Sequence, residues 1–137
     1  MNTRVLLAAL AAAVVAFLAG WLIYGILLMG FFEANTQSYE GLIKEEMNFL
    51  LMFLSNLSWS LMLAFVYNKF GGKKTLCKAV GFSALIGALI SLGVDLMFLS
   101  SWNYYTNIAV VVDVIATGVM FAAMGVAIGL IIKSPKS

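Results

Sequence analysis

The chain contains no histidine and only one cysteine, Cys77, among its 137 residues. These absences exclude an intrachain disulfide and a metal cluster built from Cys and His ligands. Only 10% of the residues are charged and the net charge is +2, which is unlike the strongly basic surface of a nucleic-acid-binding protein. Motifs for phosphate binding, dinucleotide binding and serine hydrolysis are also missing. We therefore predict no catalytic residues, no cofactor, no metal site and no nucleic-acid partner.

Apolar residues, in contrast, make up 64% of the chain, and the mean hydropathy is +1.05. A soluble domain of this size could not bury so much apolar surface. Four apolar stretches are each about 20 residues or longer, enough to cross a hydrocarbon core of roughly 30 Å as helices. We predict an all-α, four-helix transmembrane bundle in one integral membrane domain, residues 1–137, with the lipid bilayer as its surroundings. The predicted helices cover about residues 5–32, 48–67, 79–99 and 108–132.

The first stretch is too long for the apolar region of a signal peptide, so we expect a retained transmembrane helix. Seven of the eight basic residues fall on one side of the four-span topology: Arg4, Lys69, Lys73, Lys74, Lys78, Lys133 and Lys136. The opposite side carries Glu33, Glu40, Glu45 and Glu46 with only Lys44. The positive-inside rule therefore predicts that both termini are cytoplasmic. Gly71 and Gly72 predict a tight turn at the cytoplasmic face, and Trp102, Tyr104 and Tyr105 are typical of an interface belt at the outer turn.

Two aspartates, Asp95 and Asp113, interrupt the third and fourth predicted helices in surroundings that are otherwise uncharged. Asp95 lies nine residues before Tyr104 and Asp113 lies nine residues after it. In an antiparallel hairpin that turns near Tyr104, both acids lie at a similar depth. At 1.5 Å per residue this depth is roughly 6–9 Å inside the outer helix ends.

The helical phase of the neighbouring residues predicts where the acids point. On the third helix, Asp95 shares one face with four small residues: Gly81, Ala84, Ala88 and Ser91. On the fourth, Asp113 shares a face with Thr117, Met120 and Met124, and nearly opposite lie Gly118, Ala122, Gly125 and Gly129. Small residues let helix backbones approach closely in membranes. We therefore expect both acids to face protein and the fourth helix to pack on two sides, with a homo-oligomer possible through its glycine face.

Polar and aromatic residues of the first two helices fall at a depth similar to that of the acids. Trp21 and Tyr24 on the first helix and Asn56 on the second predict, with Asp95 and Asp113, a cluster around a cavity open to the outside. A charged carboxylate inside a membrane costs several kcal/mol. Protonation, a bound cation or amine, or neutral hydrogen-bond donors would each remove this cost. A purely structural role, in which the acids cap turns or join helices through hydrogen bonds, is equally open.

The sequence also resembles a known family. Residues 20–25, Gly-Trp-Leu-Ile-Tyr-Gly, together with Asp113 and the pair Gly125 and Gly129, are similar to an uncharacterised bacterial family of small four-helix inner-membrane proteins, described only as a domain of unknown function. The resemblance spans most of the chain through the four-span layout. It implies a multi-pass location in the bacterial inner membrane and marks Tyr24 and Asp113 as notable positions, but it implies no activity.

Two functional hypotheses follow from these patterns. The first is a non-enzymatic membrane protein that acts through helix contacts, as an accessory or assembly component of a larger membrane complex. It draws on the small-residue faces and on the lack of a catalytic constellation. The alternative is a small carrier or channel that handles protons or cations with Asp95 and Asp113.

Overall fold

The computed structural model describes residues 2–133, so Lys136, one of the basic residues used to predict the orientation, lies outside the described residues. The regular elements in the described part of the chain are all helical: α1 Thr3–Leu22, a π-helical turn Ile23–Leu27, α2 Met29–Asn35, α3 Phe49–Phe70, α4 Leu76–Ser101 and α5 Asn107–Ile131. Four stretches are long and apolar enough to cross a membrane: Thr3–Leu27, Phe49–Phe70, Leu76–Ser101 and Asn107–Ile131. The predicted all-α fold with four membrane-spanning helices is confirmed.

The first helix differs from its prediction as one continuous helix over residues 5–32. The α-helical part ends at Leu22, and the amide of Leu28 donates to the carbonyl of Ile23 at 2.8 Å, which closes a wider π-type turn. Leu28 itself leaves the helical conformation, with φ −108° and ψ 3°, before α2 begins. The other three helices start where a side chain caps the first turn, from Asn48, Thr75 and Thr106.

The bundle has two chemically different ends. We call the end that carries Asn2, residues 71–75 and Lys133 the terminal end, and the end that carries residues 28–48 and 102–106 the loop end. At the terminal end the turn predicted at Gly71 and Gly72 is present, and Gly72 adopts φ +57°, a positive value that glycine tolerates without strain. The described basic residues used for the orientation lie at the terminal end and the glutamates at the loop end. Which end faces the cytoplasm stays a prediction.

The helices are arranged with α1 in the middle, between α3 on one side and α5 on the other. The most extensive contact joins α4 and α5, whereas α3 touches α4 only slightly. Most of the buried core lies in the half of the bundle nearer the terminal end. It consists of Val5, Ala8, Ala9, Ala12, Ala16, Leu63, Ala64, Tyr67, Ala79, Phe121, Met124, Ala127, Ile128 and Ile132. The many alanines of α1 allow this helix to pack closely between its neighbours.

The glycine face of α5 is used inside the chain. A Cβ atom on Gly125 would lie 2.6 Å from the carbonyl oxygen of Ala79, and one on Gly129 would lie 2.8 Å from the Cβ of Ala79, so both glycines lie directly against α4. Gly118 faces α4 as well, and Ala122 is half-buried. This face is therefore covered by α4, as expected for an inner member of the bundle, and is not open to a second copy. Homo-oligomerisation through another surface stays a prediction.

The contact face of α4 also differs slightly from its prediction. Its buried residues recur every four positions: Ala79, Ser83, Gly87, Ser91 and Asp95. The predicted stripe is correct for Ser91, and Ala84 and Ala88 are half-buried beside Gly118. Gly81, however, is exposed, and nothing lies within 4 Å of a Cβ placed on it. Gly81 is not a helix-packing residue, because it lies two positions away from the row that faces α5.

Candidate functional site

The two aspartates meet at a single hydroxyl group. Asp95 lies six residues before the end of α4 and Asp113 lies six residues after the start of α5, so both are about 9 Å inside the helix ends. The hydroxyl of Ser91 is 3.0 Å from Oδ2 of Asp95 and 2.9 Å from Oδ2 of Asp113. Asp95 is only 3% exposed, whereas Asp113 is half-buried. The structure thus brings together the two acids that the hairpin geometry predicted at one level.

The number of hydrogen atoms shared by Ser91, Asp95 and Asp113 limits the hydrogen bonds that these three side chains can form. A serine hydroxyl carries one hydrogen, so Ser91 can donate a full hydrogen bond to only one of the two carboxylates. The second short contact becomes a hydrogen bond when the other carboxyl carries a proton and donates it to Ser91. Two carboxyl groups with one hydroxyl between them therefore have a place for one additional hydrogen.

Asp113 also lines a cavity of about 380 Å³ at the loop end. Its wall is formed by residues from α1, α2, α5 and the loops: Tyr24, Met29, Phe32, Glu33, Thr36, Ile43, Tyr104, Tyr105 and Asp113. Four of these residues are aromatic, and two of them, Glu33 and Asp113, carry carboxyl groups. Asp95 does not belong to this wall, and Ser91 links it to Asp113, which does. The cavity is therefore an aromatic pocket with an acidic lining.

Two connecting segments hold the cavity wall together. The stretch after α2 pairs with the turn between α4 and α5 through an antiparallel bridge between Thr36 and Tyr105. The amide of Gln37 donates to the carbonyl of Tyr104 at 2.9 Å. The hydroxyl of Tyr39 donates to the carbonyl of Asn103, also at 2.9 Å. These bonds fix Thr36, Tyr104 and Tyr105 around the cavity.

Tyr24 connects the cavity to the helix bundle. It lies in the π-helical turn, and its hydroxyl is 2.8 Å from the hydroxyl of Thr117 on α5, one turn beyond Asp113. The ring of Tyr24 also packs against Phe32 of α2, with ring centroids 5.6 Å apart. On the far side of the cavity, burial and then the nearby Asp113 carboxylate raise the pKa of Tyr105 to about 12. Tyr105 therefore keeps its hydroxyl hydrogen at neutral pH.

No family model, curated protein or solved structure matches this chain. The resemblance to the bacterial four-helix family and the bacterial inner-membrane location accordingly stay predictions. The function of the cavity has to be inferred from its own residues.

Two residues of the predicted cluster lie elsewhere. Trp21 is 61% exposed, because the face of α1 towards α5 is formed by Gly20 and Tyr24, and Trp21 is rotated about 100° from Gly20. An exposed Trp near a helix end is typical of a membrane-interface anchor. Asn56 is half-buried on α3, and α1 separates that helix from α5. Neither Trp21 nor Asn56 is part of the acid cluster.

Other residues of the site were missed or given a different role. Ser91 was predicted as a packing residue, yet it bridges the two acids. Tyr104 and Tyr105 were interpreted as interface anchors but are half-buried in the cavity wall. Glu33 was counted only as a loop charge. For Tyr105 a signal was present, since it lies eight residues before Asp113 and just ahead of the same helix. Its pairing with Thr36, however, has no signature in the sequence.

The hydrogen bond between Tyr24 and Thr117 gives a prediction for the stability of the bundle. Replacing Tyr24 with Phe or Thr117 with Val should each lower the free energy of unfolding by about 0.5–1.5 kcal/mol. The double variant should lose less than the sum of the two, because both changes remove the same bond. Unfolding in mixed micelles measures these differences. Strictly additive losses would show that the two hydroxyls do not interact.

Proposed function

We propose that the protein binds an organic amine in the loop-end cavity and exchanges it for a proton held between Asp95 and Asp113. The observation that supports this proposal most directly is the contact of both carboxyls with the hydroxyl of Ser91. A cation that approaches Asp113 stabilises the charged form of the pair, and the additional hydrogen can then leave. The site would therefore carry either a proton or a cation.

The lining of the cavity favours an amine over a metal ion. Four aromatic rings, those of Tyr24, Phe32, Tyr104 and Tyr105, surround the space, and aromatic faces attract ammonium groups. Calcium and magnesium bind through oxygen atoms alone and would leave the aromatic rings without a partner, whereas an ammonium group can contact both the rings and the carboxyl groups of Glu33 and Asp113. A positively charged nitrogen with small apolar substituents fits both the rings and the acids.

The two aspartates would have different roles in this exchange. Asp113 lines the cavity and would contact the cation directly. Asp95 is almost fully buried and interacts through Ser91, so it would hold the proton without touching the ligand. This division explains why the pair contains one half-buried and one buried carboxyl.

The position of the cavity is consistent with a carrier. The cavity lies at the loop end, while the packed core of small and apolar residues fills the half of the bundle towards the terminal end. A ligand cavity near one end of the bundle, with a packed core beyond it, is compatible with one state of an alternating-access carrier. We propose transport of the amine against protons as the activity of this site.

Titration with tetraethylammonium chloride tests the proposal on the purified protein. Calorimetry in two buffers of different ionisation enthalpy should show the release of up to one proton per bound cation at the pH values where the pair carries its additional hydrogen, because the ligand replaces that hydrogen. For the same reason the affinity should rise up to about tenfold per pH unit while one proton is exchanged. Sodium chloride at the same concentration is the control.

Two results would contradict the proposal. One is the absence of any binding heat above that of the sodium chloride control across the pH range. The other is binding without proton release at any pH, which would mean that the cation displaces no proton from the acid pair. The accessory role predicted from the sequence would gain support if the protein bound no cation and copurified with a stoichiometric partner. That role stays a prediction, and the glycine face it drew on lies within the α4–α5 hairpin.

A further inference from the structure

An apolar groove runs between α3 and α4, far from the acid pair. Because α3 packs mainly on α1, it meets α4 only near the terminal end, where the rings of Tyr67 and Phe82 lie 5.9 Å apart. The groove has a volume of about 330 Å³, and all seven residues that line it are apolar, among them Phe82, Ile86 and Leu89. From Phe82 to Ile90 it follows α4 for about 12 Å.

A second cavity adjoins the groove at the terminal end. Phe82 lines both spaces, and the second one, of about 380 Å³, also borders on Gly81 and Lys78. Gly81 has no side chain to narrow this second cavity, and nothing lies within 4 Å of a Cβ placed on it. The two adjoining spaces, which we call the channel, together reach from Lys78 at the bundle end to the apolar middle of α4.

The charge around the opening of this channel is strongly positive. Four lysines fall within residues 69–78, and no acidic residue occurs between residues 47 and 95. Lys69 lies in the last turn of α3 with its ammonium 5.5 Å from the ring centre of Phe70, and Phe70 lines the same cavity as Lys78. A cationic opening above an apolar groove is complementary to an anionic headgroup above an acyl chain.

We propose that this channel binds one anionic phospholipid, with its phosphate against Lys78 and an acyl chain in the groove along Ile86 and Leu89. A second helix would need a wider and longer surface, whereas a single acyl chain matches the narrow groove and its position beside the lipid. The bound lipid would fill the space that α3 and α4 leave open and would join the two helices at the terminal end.

Native mass spectrometry of the purified protein with phosphatidylglycerol or phosphatidylcholine at equal concentration tests this inference. The wild type should retain phosphatidylglycerol in preference to phosphatidylcholine, and Lys78→Gln should reduce the retention of phosphatidylglycerol about fivefold. Gly81→Leu should reduce the retention of both lipids, because its side chain would enter the channel without meeting other atoms of the chain. Glycerol phosphate, which has the headgroup but no acyl chain, should not bind.

Lys133→Gln is the matched control, since Lys133 is an exposed lysine at the same end of the bundle but does not line the channel. Circular dichroism and thermal unfolding confirm that each variant is folded. Equal retention of the two lipids by the wild type, or an equal loss from Lys78→Gln and Lys133→Gln, would overturn the inference. It would also be overturned if Gly81→Leu left lipid retention unchanged, or if it abolished a dimer that occupied the groove.

Discussion

Replacing Gly125 with alanine should destabilise the bundle by about 1–3 kcal/mol, the usual cost of inserting a methyl group into a tightly packed core. The added Cβ would lie 2.6 Å from the carbonyl oxygen of Ala79 and 2.9 Å from the Cβ of Ser83. One of these neighbours is backbone and the other is the base of a side chain, so neither can rotate away. The α4 and α5 helices would have to move apart along their most extensive contact.

Gly93→Ala is the matched control for this prediction. Gly93 is also a helical glycine of the hairpin, but it is exposed and nothing lies within 4 Å of its added Cβ. Alanine should therefore leave the stability unchanged or raise it by up to about 1 kcal/mol through its better helix propensity. Unfolding in mixed micelles measures both variants. Equal effects at the two positions would show that the close approach of α4 and α5 does not contribute to stability.

The membrane-spanning helices and the pairing of the two acids could be predicted, because both depend on hydropathy and residue spacing within short stretches of sequence. Hydropathy over about 20 residues marks each span. The equal spacing of Asp95 and Asp113 from Tyr104 sets their common level once the two helices form a hairpin. The glycines of α5 indicated a close helix contact for the same reason.

The order of the helices could not be predicted, because small residues occur on several faces and any of them could accept a neighbour. Asn56 was placed in the cluster on the assumption that its helix meets the acids, whereas α1 lies between α3 and α5. The glycine face of α5 could have served a neighbour within the bundle or a second copy, and the structure places α4 on it. The choice of neighbouring helices depends on the complementarity of their whole surfaces. No local pattern in a single sequence indicates this complementarity.

The wall of the cavity could not be predicted from the sequence either. It depends on the π-helical turn at Tyr24 and on the bridge between Thr36 and Tyr105. A π-type turn has no composition signal, and the segment that pairs with Tyr105 has neither strand periodicity nor apolar character. The aromatic residues of the loop end could thus be recognised as interface residues, but their convergence on Asp113 could not.

The acid pair gives the largest functional prediction. Asp113→Asn should lower the affinity for tetraethylammonium about 30-fold or more, because it removes the charge that lines the cavity. Asparagine has nearly the same shape as aspartate and can still accept a hydrogen bond from Ser91, so the fold should be kept. Glu33→Gln is the control within the same wall, and since Glu33 is exposed, its loss should change the affinity less than about fivefold.

Asp95→Asn separates proton holding from cation binding. The amide imitates a protonated carboxyl, since it can donate to Ser91 and carries no charge. Binding of tetraethylammonium to Asp113 should therefore persist, while the proton release seen with the wild type should fall to nearly none and the affinity should become almost independent of pH over the same range. Calorimetry in the same two buffers measures both quantities. If Asp95→Asn instead abolishes binding and Asp113→Asn does not, the buried acid is the ligand contact, and the roles proposed for the two carboxyls are reversed.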